Sequence, residues 1–384
     1  MKKKILVITD RYPYPIVKGD QVITSQIIES YSSRGFSISL LCHHPGEEVV
    51  EGNFELTLVS KSLYPFKLGW KELCSDPLHS FRMRSRDFLK RFNEFDEHFD
   101  EIHIVTLRMS WLLGFINKTN SITILHLIDS ETRKFGSMIS SSTGLRRQLV
   151  KQEYRRLKKY EPAQIRKAHV VTVVSRLDRE YLGASLENIW VVPIMKSLYA
   201  HSEISENSRI IFTGNLGYQP NKEGLLWFLE SVFPFILLNK AITFVICGSG
   251  DSSYLKKYTK KYGNSIVITG FVDDLKLEIA RSQLSVAPIF SGSGVQNKIL
   301  EAMVSGVPVV TTKRGAEPIG LINDYSALIA EDALDFGRCC IRLMDQEKLR
   351  KSLTVNALRI WTKHYSPEAI KKCYEKIQLT GINR

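Results

Sequence analysis

Short apolar runs alternate along this chain with longer amphipathic stretches, and that alternation leaves few architectures open. Lys4–Thr9 (KILVIT), Ile122–Ile128 and Arg209–Thr213 (RIIFT) are apolar at successive positions rather than at every second one. Such strands are buried on both faces, as in a parallel sheet covered by helices. The first half predicts further strands at Ser37–Cys42, Glu55–Val59, Glu101–Val105, Val170–Val174 and Ile189–Pro193, with a helix over Gln21–Arg34. The second half predicts strands at Arg209–Thr213, Ile242–Cys247, Ser265–Ile268, Leu284–Pro288 and Val307–Thr311, with helices at Glu223–Val232 and Asp273–Ser282. The fold class is therefore α/β, built from Rossmann-like doubly wound sheets.

At 384 residues the chain exceeds the roughly 150 that one core usually organises, so two domains are expected. The polar segment Met195–Asn207 follows Pro193 and marks the junction, giving a first domain over 1–194 and a second over 195–365. A last helix, about 366–384, follows Tyr365-Ser366-Pro367. Two such domains in tandem suggest a ligand cleft at the carboxyl ends of their strands. With 43% hydrophobic and 24% charged residues the chain is neither disordered nor fibrous. No window approaches the roughly 18 apolar residues of a membrane span. The apolar run Ile5–Ile8 after Lys2-Lys3-Lys4 is too short for a signal peptide. Cys42, Cys74, Cys247, Cys339, Cys340 and Cys373 form no CxxC, which fits a reducing cytoplasm.

The net charge of +13 is concentrated between Arg133 and Lys167, where 11 basic residues face only Glu153 and Glu161. Leu145, Leu149, Leu157 and Tyr160 form a rough helical stripe through Gly144–Ile165. Two readings are open. The helix can lie on an anionic membrane surface, or it can pack its stripe on the core behind a solvated basic face. Nucleic acid is not expected, because no aromatic residues are interleaved as stacking platforms.

The stretch that carries chemistry is Ala287–Gly320 (APIFSGSGVQNKILEAMVSGVPVVTTKRGAEPIG). A strand ends at Pro288, a loop holds Gly292 and Gly294, and a helix begins near Val295. Glycines let backbone N–H groups approach a ligand, and a helix N-terminus adds about half a positive charge there, which together suit a diphosphate. Lys298 in the first turn can reach the same anion, and Glu301, about 4.5 Å further along the axis, can accept hydrogen bonds from sugar hydroxyls. Taken singly, the glycines equally fit an ordinary turn, Lys298 a solvated lysine and Glu301 a surface glutamate.

The run Gly-x-Gly-x-x-x-Lys-Ile-Leu-Glu-Ala-Met from Gly292, with Ser305-Gly306-Val307-Pro308-Val309-Val310 and Thr312, resembles the donor-site signature of the family 4 retaining glycosyltransferases of the GT-B fold. Val295-Gln296-Asn297-Lys298 and Phe212-Thr213-Gly214-Asn215, running to Tyr218-Gln219-Pro220-Asn221, are similar to a bacterial exopolysaccharide and exosortase-associated branch. The resemblance implies two Rossmann-like domains facing a cleft, with the last helix returning to the first. It implies transfer from a nucleoside diphosphate sugar, with retention, to a glycan or lipid-linked glycan in surface polysaccharide synthesis. The enzyme would be cytoplasmic and peripheral to the inner membrane face through Arg133–Lys167.

In that family a Glu-x7-Glu pair frames the donor, the second glutamate holding the ribose. Glu301 matches the second, while the first falls on Ser293. The family's phosphate-binding Arg falls on Asn215, and Lys222 lies slightly beyond the usual spacing of its Lys. Lys298 with the backbone of Gly294, Val295, Gln296 and Asn297 is therefore the expected diphosphate site, and Lys222 the second choice. The resemblance places Gly19 against the donor phosphates, where a helix-leading turn serves equally. It places Gly248 at a strand end on the same cleft, and Phe271-Val272 where backbone groups read the base. Asp129 ends the strand Ile122–Ile128, a position suited to the acceptor hydroxyl or reacting sugar, and is preferred to the mid-strand His126. The catalytic set is thus Asp129, Lys298 and Glu301. No Asp-x-Asp and no zinc spacing occur, so neither a metal nor another cofactor is expected. A catalytically inactive binding or scaffold protein of the same fold, prompted by Ser293 and Asn215, and a nucleotide-sugar epimerase are the alternatives.

Overall fold

The computed structural model describes residues 2–16, 18–44, 52, 54–60, 76–95, 98–116, 121–140, 142–183, 187–199, 208–291 and 294–381. Ser293, one of the expected donor residues, and Gly292 lie outside them. The chain divides into two compact units, Met1–Met195 with Ile370–Arg384, and Lys196–Ala369.

The first unit holds a 7-stranded sheet of β1 (Lys4–Ile8), β2 (Ser37–His43), β3 (Glu55–Val59), β4 (Glu101–Val105), β5 (Ile122–Leu127), β6 (Val170–Val173) and β7 (Ile189–Val191). Its order is β3-β2-β1-β4-β5-β6-β7, and every pairing is parallel. Ile5 of β1 sits opposite Ile38 on one side and Glu101 on the other, so β1 is central. Its side chains alternate between two cores. Ile5 and Val7 pack with Tyr31 of the Gly19–Ser32 helix and with Tyr374 and Ile377 of the Pro367–Gly381 helix. Leu6 and Ile8 pack on the opposite face with Phe88, Trp111 and Leu157. A strand sandwiched this way needs an apolar residue at every position, which is why its sequence is a continuous run.

The second unit holds a 6-stranded sheet of β8 (Arg209–Thr213), β9 (Thr243–Cys247), β10 (Ile266–Gly270), β11 (Leu284–Ala287), β12 (Val309–Thr312) and β13 (Leu328–Ala330). Its order is β10-β9-β8-β11-β12-β13, again parallel throughout. Ile210 and Phe212 pack with Phe228, Phe244 and Phe336, while Ile211 faces Met303 and Trp361. The sequence reading omits β13: three residues are too short a run to stand out, and β13 forms only as an edge on β12. The Gln219–Trp227 helix opens with Pro220 in its first turn and runs through a π-helical stretch, Phe228–Val232, that drives Phe228, Leu229 and Val232 into the core.

In each sheet the strand order reverses direction once, between β1 and β4 and between β8 and β11. Loops leaving the carboxyl ends of such a pair diverge to opposite faces of the sheet, so a crevice opens there. Both units carry polar residues at these places.

Candidate functional site

In the second unit, β8 ends at Thr213 and β11 at Ala287, the two strands flanking the switch point. The segment after β11 leads into the Asn297–Val304 helix. The helix starts two residues later than the sequence suggests, because Gln296 takes the N-cap position and its carbonyl accepts from Ile299 N–H at 3.0 Å. The N–H groups before Ile299 in this turn, those of Asn297 and Lys298, have no carbonyl one turn earlier within the helix, which leaves positive charge at this end.

Lys298, in that first turn, is 6% exposed. Its Nζ donates to Asn221 Oδ1 at 2.7 Å and lies 4.1 Å from the centre of the Phe212 ring. Among the described residues no carboxylate lies within 4.0 Å of it. Burial pushes its pKa down to about 7, with Glu301 acting weakly in the opposite sense. Asn221 is held in turn, its Nδ2 donating to the Asn215 carbonyl at 2.9 Å. Gly214 follows β8 with φ 149, and a Cβ there would stand 2.7 Å from Asn221 Nδ2 and 3.2 Å from Lys298 Nζ. A side chain at 214 would thus be strained and would crowd the amine.

The other residues expected at the donor site lie in the same unit and have different attachments. Glu301 accepts from Lys196 Nζ at 3.1 Å, and both side chains are about four-fifths buried. Asn215 turns its side chain onto its own loop, where Oδ1 accepts from Gly217 N–H at 2.9 Å. Lys222 lies over the Tyr254 ring at 4.7 Å. Gly248 and Gly270 meet at the ends of β9 and β10 through an N–H to carbonyl bond of 2.8 Å. The next residue, Phe271, is 77% exposed, while Val272 packs partly into the core. Gly294, Val295 and Gln296 are half-buried, Gln296 Nε2 donates to the Gly294 carbonyl at 3.2 Å, and Asn297 is exposed.

In the first unit, Gly19 is the first residue of its helix, and a Cβ there would meet Ile128 Cγ2 at 3.2 Å. A side chain at 19 would therefore need Ile128 to give by a few tenths of an ångström. The neighbouring Asp20 is buried and accepts from Arg11 at 2.8 and 3.0 Å. Asp10, at the end of β1, pairs with Arg108 at 2.9 Å. Asp129 lies just past β5, its side chain 26% exposed and 3.9 Å from Lys134 Nζ. Burial is the main cause that pushes its pKa up to about 6, with Lys134 opposing. The adjoining helix start is fixed by buried Glu161, which accepts from Ser130 Oγ at 2.9 Å and from Glu131 N–H at 3.0 Å. His126 is fully buried between His103 (2.9 Å) and Thr172 (2.7 Å), and burial drives its pKa well below the usual value. It is a core histidine, wired through His103 to Glu101.

The Gly144–Lys167 helix departs from a single core-facing stripe. Leu157 and Tyr160 are buried, but Leu145 and Leu149 are 73% and 59% exposed. The helix overshoots the core at its amino end, so the same spacing serves two environments. Among the described residues no helix is long and apolar enough to cross a membrane, and no group of three or more His, Cys, Asp or Glu is arranged to hold a metal ion.

Sequence reasoning missed Asn221, Phe212 and Lys196. Each makes its contact from a different element (Phe212 from β8, Asn221 from the Gln219–Trp227 helix, Lys196 from the segment after β7), and although Phe212 and Asn221 stand in a recognisable motif, nothing local in it shows what they touch.

Two sheets of this composition and order are the GT-B architecture. Sucrose-phosphate synthase from Thermosynechococcus elongatus superposes with a TM-score of 0.75 at 14% identity, covering 99% of both chains. HepE from Anabaena, solved in complex with UDP, gives 0.70 at 13% identity, covering 98% of this chain and 100% of its own. Residues 207–346, within the second unit, match the family model for glycosyl transferases group 1. An uncharacterized 44.6 kDa protein in the cps region of Klebsiella pneumoniae is 22% identical over 387 residues, 96% of this chain and 97% of that protein. The family match and the fold together support a GT-B glycosyltransferase.

Proposed function

We propose that the chain transfers a sugar, with retention, from a nucleoside diphosphate sugar to a glycan or lipid-linked glycan, in the manner of family 4. The observation that carries this reading is Lys298: a buried amine with no carboxylate within 4.0 Å among the described residues, at a helix N-terminus and a switch point. A buried ammonium without a counter-charge is costly, and an anionic ligand supplies what the protein leaves out. As the bond to the sugar breaks, negative charge grows on the leaving diphosphate. The lysine and the first-turn amides are already oriented toward it, so they stabilise that charge without reorganising. The leaving diphosphate itself would take the acceptor's proton, and no metal is required by this scheme. Glu301, held by Lys196, is assigned to the ribose hydroxyls, and Gly248, Phe271 and Val272 to the base side. Asp129 is assigned to the acceptor side.

Surface polysaccharide synthesis is the context we favour, supported by the relative in a cps region. Exposed Leu145 and Leu149 beside Arg146, Arg147 and Lys151 support contact of that helix end with the anionic inner face of the membrane. Co-sedimentation with vesicles of phosphatidylglycerol and phosphatidylethanolamine should fall on L145E/L149E; equal binding of both proteins would remove this part.

The donor site is tested by melting the protein with nucleoside diphosphates and their sugars, without added metal. A ligand at 100 times its Kd, binding only the folded state, adds about 2.7 kcal/mol, a readable shift. A shift with one base supports the reading, and no shift with any of them overturns it.

A further inference from the structure

The Gln219–Trp227 helix brings a second charged group to the segment that follows β11. Glu223 Oε2 accepts from Ser291 Oγ at 2.8 Å, and Oε1 accepts from Gln219 Nε2 at 3.0 Å. Both partners are neutral. Among the described residues no Lys, Arg or His nitrogen lies within 4.0 Å of this half-buried carboxylate. Each carboxylate oxygen can accept two hydrogen bonds, so acceptor capacity is left over.

The position of Glu223 is set by backbone contact. A Cβ on the next residue, Gly224, would stand 1.9 Å from the Pro288 carbonyl oxygen, so the helix presses directly on the end of β11. The same helix carries Asn221, which holds Lys298 Nζ. One short helix thus sends an amide to the buried amine and a carboxylate to the segment leading into the Asn297–Val304 helix. The two charges have opposite preferences. The amine draws phosphate oxygens, whereas the carboxylate repels them and is satisfied only by hydrogen-bond donors. A ligand that presents an anion and, beside it, neutral hydroxyl donors matches both.

We propose that Glu223, positioned by Ser291 and Gln219, recognises hydroxyl groups of the transferred sugar and determines which donor sugar is taken. This assignment rests on the nucleotide-sugar reading above, and the test separates the two. Calorimetric titration of the full chain compares nucleoside diphosphates of the common bases with their glucose, galactose and mannose esters. In the wild type, the preferred ester binds more tightly than its diphosphate. E223A lowers affinity for the ester about tenfold to a hundredfold, the range for losing hydrogen bonds to a charged acceptor. Affinity for the free diphosphate holds or rises, because a negative charge has been removed nearby; this also shows that the variant is folded. S291A, which removes only the positioning bond, gives a smaller loss in the same direction. If the ester-to-diphosphate affinity ratio is the same in E223A and wild type, the Glu223 assignment is overturned while the donor reading stands. If the wild type binds no diphosphate, both fall.

Discussion

The two switch points are built from the same topology and handle charge in opposite ways. Between β1 and β4, Asp10 pairs with Arg108, and Asp20 pairs with Arg11 while Arg108 stands 4.0 Å away. Each buried carboxylate there has a guanidinium from the same unit. Between β8 and β11, Lys298 has an amide and an aromatic ring but, among the described residues, no carboxylate within 4.0 Å, and the nearby Glu301 is already engaged by Lys196. The first arrangement is internally compensated and stable by itself. The second leaves the amine without a counter-charge among the described residues, which is the feature the proposed anionic donor would supply.

The largest effect that would break this contrast is expected from K298M. It should lower nucleoside diphosphate affinity by about a hundredfold, the scale of a charge-assisted contact to phosphate. The ligand-free protein should melt no lower than wild type, since a poorly compensated amine is replaced by an apolar side chain of similar length. A matching loss of stability would instead make Lys298 a structural lysine. Its pH behaviour sharpens the point. With a folded pKa of about 7 below the unfolded value of 10.5, the unfolded chain holds more protons between those limits, so this group's contribution to stability rises with pH across that window. Diphosphate affinity should fall over the same range, with proton uptake on binding visible as a buffer-dependent heat; K298M should show neither.

R108M probes the compensated side. Removing the guanidinium strands Asp10, whose carboxyl is already pushed up by burial, and should cost about 2 kcal/mol, below the range for a fully buried pair because Arg108 is partly exposed. Diphosphate affinity should not change. A denaturant titration that finds the variant as stable as wild type would show that the pair does not compensate buried charge.

The smallest effect is expected at Asp129. Its folded pKa of about 6 is raised above the ordinary 3.8, so the stability its neutral form contributes is complete below about pH 4 and lost as pH rises through 6. D129N cannot ionise and should therefore be more stable than wild type at pH 8 by on the order of 1 kcal/mol, with the difference vanishing near pH 4. Transfer should fall even as stability rises if Asp129 serves the acceptor; a variant both more stable and fully active would leave it a packing residue.

Most strands were legible because a parallel strand buried on both faces needs an unbroken apolar run, as in Ile5–Ile8 and Arg209–Thr213. β13 was not, being three residues long and dependent on β12 for its pairing. The exposure of Leu145 and Leu149 was equally hidden, since helical spacing gives a stripe without saying where the core ends. In the second unit, the placement of Lys298 in the first turn of a helix, with Glu301 one turn on, was legible from the sequence pattern. Which neighbours hold them was not.

What the sequence alone determined is therefore local and periodic: two runs of alternating strands and helices, a glycine loop feeding a helix, and a lysine in its first turn. Tertiary structure decided the rest. It buried that lysine against Phe212 and Asn221, turned Asn215 onto its own loop, engaged Glu301 with Lys196, and brought Glu223 to Ser291. The reason is physical. Periodicity records which face of an element is apolar, but the charge state and reach of a side chain depend on burial and on partners distant in sequence, and these exist only once the sheet has assembled.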